Sequence, residues 1–267
     1  MSQKAKQLIA KAKVEKHKRL ELNNCGLTDL KAQVPELFEL TDLEQLFLDN
    51  NQLTNLLGLS NLTNLKLLDA GYNHLTDVSG MGGLGKLDVL YLDNNQLANV
   101  SGLDGLSLKH LRLTSNRITD ISPLSRLDGL TTLSLWNNQI ADITPLSRLV
   151  KLKTLYLIRN QITDISVLAE LMQINELHLD NNQITDVSPL SNLPDLKRLY
   201  ISNNQITDVS PLSGLGELSE LHLNNNRITD VSGLSKLVTL IVLRIYGNQI
   251  TDFSPLYKLS AKIHYRY

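Results

Sequence analysis

The sequence predicts an α/β fold of the repeating kind. The expected architecture is a right-handed, horseshoe-shaped solenoid with a parallel sheet on its concave face and 3-10 or irregular turns on its convex face. Three observations predict it. One segment recurs along nearly the whole chain at a spacing close to 22 residues. Each copy has a half that alternates Leu-x-Leu, the period of a strand, and a half that does not. Apolar residues make up 42% of the 267 residues and aromatics only 4%, so the core must be aliphatic, as stacked layers of leucine require.

The recurring unit reads Leu-x-x-Leu-x-Leu-x-x-Asn-x-Ile-Thr-Asp-Ile-Ser-Pro-Leu. Its asparagine falls at Asn51, Asn73, Asn95, Asn116, Asn138, Asn160, Asn182, Asn204, Asn226 and Asn248, and Cys25 takes that place in the first copy. The steps are 26, 22, 22 and 21 residues, then 22 throughout, which gives eleven repeats running to the end of the chain. A single unit cannot bury its leucines alone, so stability must come from neighbouring repeats.

In the strand half, Leu133 and Leu135 should point inward while Thr132, Ser134 and Trp136 point outward. In the return half, Ser followed by Pro reads as a cap and a first helical position, where the missing N–H costs nothing. Five of the seven prolines stand there, at Pro123, Pro145, Pro189, Pro211 and Pro255. The return is too short for a full α-helix, hence the 3-10 expectation. The repeated asparagine should be buried, where its amide can both donate to and accept from loop backbone groups. Cys25 serves less well there, but the first repeat has only one neighbour to bond, and a buried structural thiol is expected.

Residues 182–190, Asn-Gln-Ile-Thr-Asp-Val-Ser-Pro-Leu, carry a resemblance. They are similar to the short, 22-residue class of leucine-rich-repeat proteins, which includes the internalins and the leucine-rich regulatory subunit of protein phosphatase 1. The likeness covers about 250 residues. It is specific for fold and weak for function, because the repeated residues are the structural ones. It implies a protein-binding scaffold or regulatory module, one form being a regulator of a phosphatase or another signalling enzyme. An internalin-like surface or secreted adhesion protein is the alternative. Residues 5–10, Ala-Lys-Gln-Leu-Ile-Ala, leading into Leu20–Thr28, also resemble cytosolic bacterial repeat proteins, some of which carry the repeats beside a Roc GTPase domain. A sensor module of that kind is a third reading.

Terminal repeats need caps. Ala5, Leu8, Ile9 and Ala12 follow the spacing of a helix face, which predicts a helix over 3–16 with Ser2 as its N-cap and the lysines on its solvated side. Residues 1–19 are accordingly an N-terminal amphipathic helical cap, and residues 20–267 the repeat domain. At the other end, Ile263, Tyr265 and Tyr267 read as a twelfth strand whose edge is open to pairing; otherwise a monomer is expected.

Formal net charge is −1, which gives no overall bias toward nucleic acid or membrane, although residues 1–19 alone carry +6. No disulfide can form within the chain, because Cys25 stands alone. Lys11 and Lys13 interrupt the only stretch resembling a secretion signal, and a cytoplasmic location is expected. No catalytic set, metal site or cofactor site is expected. Residues 80–86, Gly-Met-Gly-Gly-Leu-Gly-Lys, match a phosphate-binding loop up to the lysine, but Leu87 replaces the hydroxyl that holds magnesium. The stretch should instead be a return turn in which glycine replaces proline. The Thr-Asp pairs provide one carboxylate per repeat, too thin a set for calcium and better suited to bonding each turn locally. His178 and His222 lie two strands apart, too far for one zinc, and His17 shows no acidic partner.

The function should therefore reside on the outward-facing sheet positions, with a protein as partner and neither nucleic acid nor membrane. The middle column includes Phe47, Asp69, Tyr91, Arg112, Tyr156, His178, Tyr200, His222 and Arg244. The column toward the asparagine includes Asp49, Asp93, Trp136, Ile158 and Tyr246. The only Trp and four of the eight Tyr fall on these positions, and exposed Trp, Tyr and Arg are the usual anchors of protein interfaces. Trp136, Tyr156 and Ile158 should form an exposed apolar patch. Asp49, Asp69 and Asp93 should form an acidic end, with Arg112, Arg159, Arg198 and Arg244 further along. The 21-residue step, around Gly105–Leu108, should disturb the stacking near Tyr91, Arg112 and Trp136.

Overall fold

The computed structural model describes residues 2–259 and 262–264. It comprises two compact units, Met1–Ser134 and Leu135–Tyr267.

The first unit opens with helix α1, Ser2–Glu15. Ala5, Ile9 and Ala12 are buried and Leu8 half-buried, while the lysines between them are exposed. The helix ends at Lys16, which turns left-handed (φ 51°), and Lys13 bonds Glu39 of the first return. The Ser2 side chain, assigned above as a cap, lies outside the described residues. Six parallel strands follow in chain order: β1 (Arg19–Glu21), β2 (Gln45–Phe47), β3 (Leu67–Asp69), β4 (Val89–Tyr91), β5 (His110–Arg112) and β6 (Thr132–Ser134). Each buries its central leucine. The long first return holds a short helix α2, Leu30–Gln33, where Asp29 Oδ1 accepts Ala32 N–H at 2.8 Å.

The 21-residue step leaves this sheet undisturbed. Val89 pairs with His110 and Tyr91 with Arg112, in the same register as the neighbouring strands. The shortening is absorbed in the return, where the 3-10 turn Ser101–Leu103 leads to Gly105 at φ 84°.

The second unit repeats the pattern with β7 (Thr154–Tyr156), β8 (Glu176–His178), β9 (Arg198–Tyr200), β10 (Glu220–His222), β11 (Val242–Arg244) and β12 (Lys262–His264). The backbone of Ile263 belongs to β12; Tyr265 and Tyr267 lie outside the described residues. Leu155, Leu177, Leu199, Leu221 and Leu243 are fully buried. Burying such a side chain is worth roughly 1.5–3 kcal/mol, and each repeat also buries the leucines and isoleucines of its return, so layer on layer the core is apolar.

After the first, the returns are single 3-10 turns, as the sequence predicts, but the serine does not cap them. The serine lies inside the turn, as in Ser188–Asn192, where the N-cap position is Val187 and carries no side-chain cap bond; the aspartate two residues before the serine bonds it instead. Asp186 Oδ1 accepts the Ser188 N–H and Oδ2 the Ser188 hydroxyl, both at 2.8 Å. Asp77, Asp120, Asp142, Asp164, Asp208, Asp230 and Asp252 accept the corresponding N–H in the same way. Bonding to Ser79, Thr144, Ser232 and Ser254 holds the carboxyls of Asp77, Asp142, Asp230 and Asp252 below the usual aspartate range. The repeated Thr-Asp is therefore a turn-closing device.

The asparagines form the other structural ladder. Asn182 Oδ1 accepts the Ile162 N–H at 3.1 Å, and its Nδ2 donates to the carbonyls of Leu157 (2.9 Å) and Leu179 (3.0 Å). At the first slot Cys25 is buried, and its N–H donates to Asn51 Oδ1 at 3.1 Å. Burial pushes the Cys25 thiol up, away from the reactive thiolate.

Candidate protein-binding face

Because strand side chains alternate, the residues on either side of each buried leucine stand together on the open face of the sheet. In the first unit, Phe47 is half-buried beneath the Arg19 guanidinium, 4.4 Å from its ring centre. Asp49 and Asp69 are half-buried beside Gly71, and Asp69 Oδ1 accepts the Gly71 N–H at 3.0 Å. Burial, helped by the charges of Asp49 and Asp93, pushes the Asp69 carboxyl up.

Asp93 and Arg112, placed above in opposite charge zones, are a bonded pair. Arg112 Nε lies 2.8 Å from Asp93 Oδ2, and its guanidinium lies over the Tyr91 ring at 5.1 Å. Asp93 is buried, and its other oxygen accepts the Thr114 N–H at 2.9 Å. The acidic end thus reduces to Asp49 and Asp69, because Asp93 is already taken by its neighbours.

The second unit holds the remaining outward-facing aromatic side chains. Trp136 is 42% exposed. Ile158, on the adjacent strand, is half-buried rather than exposed, as is Tyr156. From Tyr156 a ladder of rings runs up the middle column. Tyr156 stacks on His178 with centroids 4.4 Å apart, His178 on Tyr200 at 4.2 Å, and Tyr200 meets His222 edge-on at 4.6 Å. A tyrosine ring thus fills the gap between the two histidines. The outermost positions are an exposed Arg244 and a half-buried Tyr246.

A second line of charges braces this ladder, and sequence reasoning underrated it. Glu176 Oε1 lies 2.8 Å from His178 Nε2, while Glu176 Oε2 accepts from Arg198. Although burial opposes it, bonding to His178 and Arg198 holds the Glu176 carboxyl low. Glu220 lies 2.9 Å from His222 Nε2. Burial, then bonding to Glu220, pushes the Tyr200 phenol up to about 12. The signal was present: Glu-Leu-His occurs at 176–178 and at 220–222, and residues two apart on a strand share a face.

The column toward the asparagines dips between Ile158 and Tyr246. Ser202 and Asn224 are buried there, and Asp180 is half-buried. Asp180 Oδ1 accepts the Ser202 N–H at 2.8 Å, and burial pushes its carboxyl up.

Other candidate chemistry resolves into local contacts. Gly80 and Met81 lie in the 3-10 turn Ser79–Met81, and Lys86 donates to Asn64 at 2.7 Å. His17 does have an acidic partner, Glu15, 2.7 Å away. Among the described residues, no group of three or more His, Cys, Asp and Glu is placed to hold a metal ion. Among them, no helix is long and apolar enough to cross a membrane.

Stacked parallel strands, single-turn returns and an asparagine ladder define a repeat solenoid with an open sheet face. The model of the family described as leucine-rich repeats (2 copies) matches residues 63–105, 106–148, 128–170, 173–214 and 217–258. The chain belongs to the leucine-rich-repeat family. It is similar to internalin C2 of Listeria monocytogenes, with 38% identity and a TM-score of 0.68 over 70% of this chain and 83% of that one. An internalin, InlF, of the same organism is 30% identical, with a TM-score of 0.65 over 100% of this chain and 94% of the other. A leucine-rich-repeat protein of Leptospira interrogans gives 25% identity and a TM-score of 0.75 over 96% and 80%. No curated protein matches the chain. Folds of this family are interaction modules that work through an extended sheet surface.

Proposed function

We propose that the chain is a protein-binding scaffold whose contact surface is the open sheet face of the second unit, centred on Trp136, Tyr156 and Ile158. One observation carries this reading: the chain's only tryptophan stands exposed beside a stack of rings that neighbouring contacts already hold in place. Aromatic anchors contribute most when they are rigid before binding, because little side-chain entropy is then lost. Phe47, Tyr91 and Arg112, with Asp49 and Asp69, offer a separate and more polar contact area on the first unit.

The similarity to internalin C2 favours an internalin-like role over regulation of a phosphatase or another signalling enzyme. A cytoplasmic location fits the single buried thiol, whereas an internalin-like adhesion role would place the chain at the surface or outside the cell; fractionation of the producing cell distinguishes them. The binding reading is tested by affinity capture with the wild-type chain, Trp136→Ala and Tyr156→Ala. The expected result is a specifically captured protein that both variants lose while their thermal unfolding stays cooperative. Capture unchanged by both substitutions overturns the assignment of this face.

A further inference from the structure

Between Trp136 and Tyr246 the open face has a polar notch, and one buried acceptor in it has no hydrogen-bond partner. Asn224 is 5% exposed; its Nδ2 reaches Ser202 Oγ at 3.4 Å, but its Oδ1 is buried with no donor. A buried amide oxygen left unpaired forfeits the bond it had with water, so this atom is an acceptor waiting for a donor. On the other side of Ser202 stands Asp180, whose Oδ1 takes the Ser202 N–H. Asp180, Ser202 and Asn224 are thus three successive positions of one column, bonded in sequence, with acceptors at both ends and a small side chain in the middle.

The surrounding charges favour a cation. Arg198 is already held by Glu176. Asp180, Glu176 and Glu220 face two guanidiniums, Arg198 and Arg244, so the local balance is negative. The rings of Tyr200 and His222 rise beside the notch in the next column and would flank a flat group inserted there. Arginine carries a planar fork of donors and no acceptor, which matches acceptors spread over neighbouring strands better than the point charge of lysine does.

We propose that this notch receives an arginine side chain of the protein partner, its guanidinium donating to Asp180 and to Asn224 Oδ1 above Ser202. The proposal rests on the reading that this face binds a protein, and it names the partner's anchor.

The test is nuclear magnetic resonance titration of the full chain with N-acetyl-arginine-N-methylamide, with the corresponding glutamine and lysine compounds alongside. Saturable shifts are expected at the Ser202 amide and the Asn224 side-chain amide, tightest for arginine and absent for glutamine. Asp180→Asn keeps an acceptor for Ser202, so the fold is retained, and it should weaken arginine binding about tenfold. No saturable shift in the wild-type chain, or equal shifts from glutamine, overturns the proposal. Capture of a partner that is lost with Trp136→Ala but unchanged with Asp180→Asn also overturns it, and leaves the binding face itself standing.

Discussion

Asn160 Oδ1 accepts the backbone N–H of Ile140, one repeat earlier, at 3.0 Å. The Nδ2 of the same side chain donates to the carbonyls of Leu135 (3.0 Å) and Leu157 (3.1 Å), so one buried amide satisfies groups in two repeats. Replacing Asn160 with leucine strands the buried Ile140 N–H without changing bulk greatly, and each carbonyl keeps one amide donor, Asn138 on Leu135 and Asn182 on Leu157. At about 1–3 kcal/mol for the stranded N–H and about 0.5–1.5 kcal/mol for each further bond lost, the loss should reach about 2 kcal/mol or more. Denaturant unfolding followed by circular dichroism measures it. Asn160→Leu within about 1 kcal/mol of wild type would show that the ladder is ornamental.

The ladder was readable in the sequence because it repeats at a fixed position, and so was the alternation that buries Leu155 or Leu199. Less readable was anything depending on what a side chain meets across strands. Asp93 looked like part of an acidic end until its neighbour in the next repeat, Arg112, proved to lie 2.8 Å away. Ile158 looked exposed because alternation assigns a face and not a degree of cover. The bond that closes each return turn reads in the sequence as the serine's because Asp and Ser both accept backbone N–H groups at turn starts, and only the geometry shows that the aspartate oxygen takes the serine N–H.

A second repeated position yields an independent prediction. The residue before each ladder asparagine turns left-handed, and it is asparagine at Asn50, Asn94, Asn137, Asn181, Asn203 and Asn225. Tyr72 (φ 52°) and Arg159 (φ 53°) occupy the same conformation without asparagine's tolerance for it. A left-handed backbone costs an ordinary L-residue roughly 1–2 kcal/mol. Tyr72 is 58% exposed, so little packing is lost on replacing it. Tyr72→Asn should therefore raise stability by about 0.5–1 kcal/mol. A lower melting temperature for this variant would show that the Tyr72 ring has a packing role that outweighs its strain.

Matching the repeats to their consensus should fail at one place. Gly80 and Gly102 stand where other repeats carry proline, which invites Gly80→Pro or Gly80→Ala. A Cβ at Gly80 would lie 2.3 Å from the Leu56 carbonyl oxygen, and one at Gly102 would lie 2.5 Å from that of Val78. Backbone there cannot yield as a flexible side chain could. Gly80→Ala should cost about 2 kcal/mol or more, by the usual scale of overpacking, and Gly80→Pro at least as much. The check is a thermal scan beside Gly82→Ala, whose added methyl would meet nothing within 4 Å. Equal melting temperatures for Gly80→Ala and Gly82→Ala would mean that the stacking of these returns is looser than the structure shows.

His222 makes the ring ladder sensitive to acid. Burial first, and the Arg244 charge second, hold its imidazole below the ordinary value of 6.5, against the opposing pull of Glu220 and Asp180. Between that lowered value and 6.5 the unfolded chain binds more protons than the folded one, so stability rises with pH across the interval. The contribution is intact above 6.5, falls as pH drops below it, and is fully lost once pH passes the folded value. Asp69 and Asp180 act in the opposite sense in their own window. Their raised carboxyls keep protons that the unfolded chain has released, so their destabilising effect grows as pH rises above the ordinary aspartate value of 3.8. The histidine effect is therefore isolated by comparing denaturation midpoints at about pH 7.5 and about pH 5.5, on either side of an ordinary histidine titration. Wild type should lose stability on that step, and His222→Gln, which cannot be protonated, should lose measurably less. The edge-on contact with Tyr200 weakens in the variant at both pH values, so only the difference between the two steps bears on the titration. Identical steps for the two proteins would mean that His222 binds its proton as readily folded as unfolded.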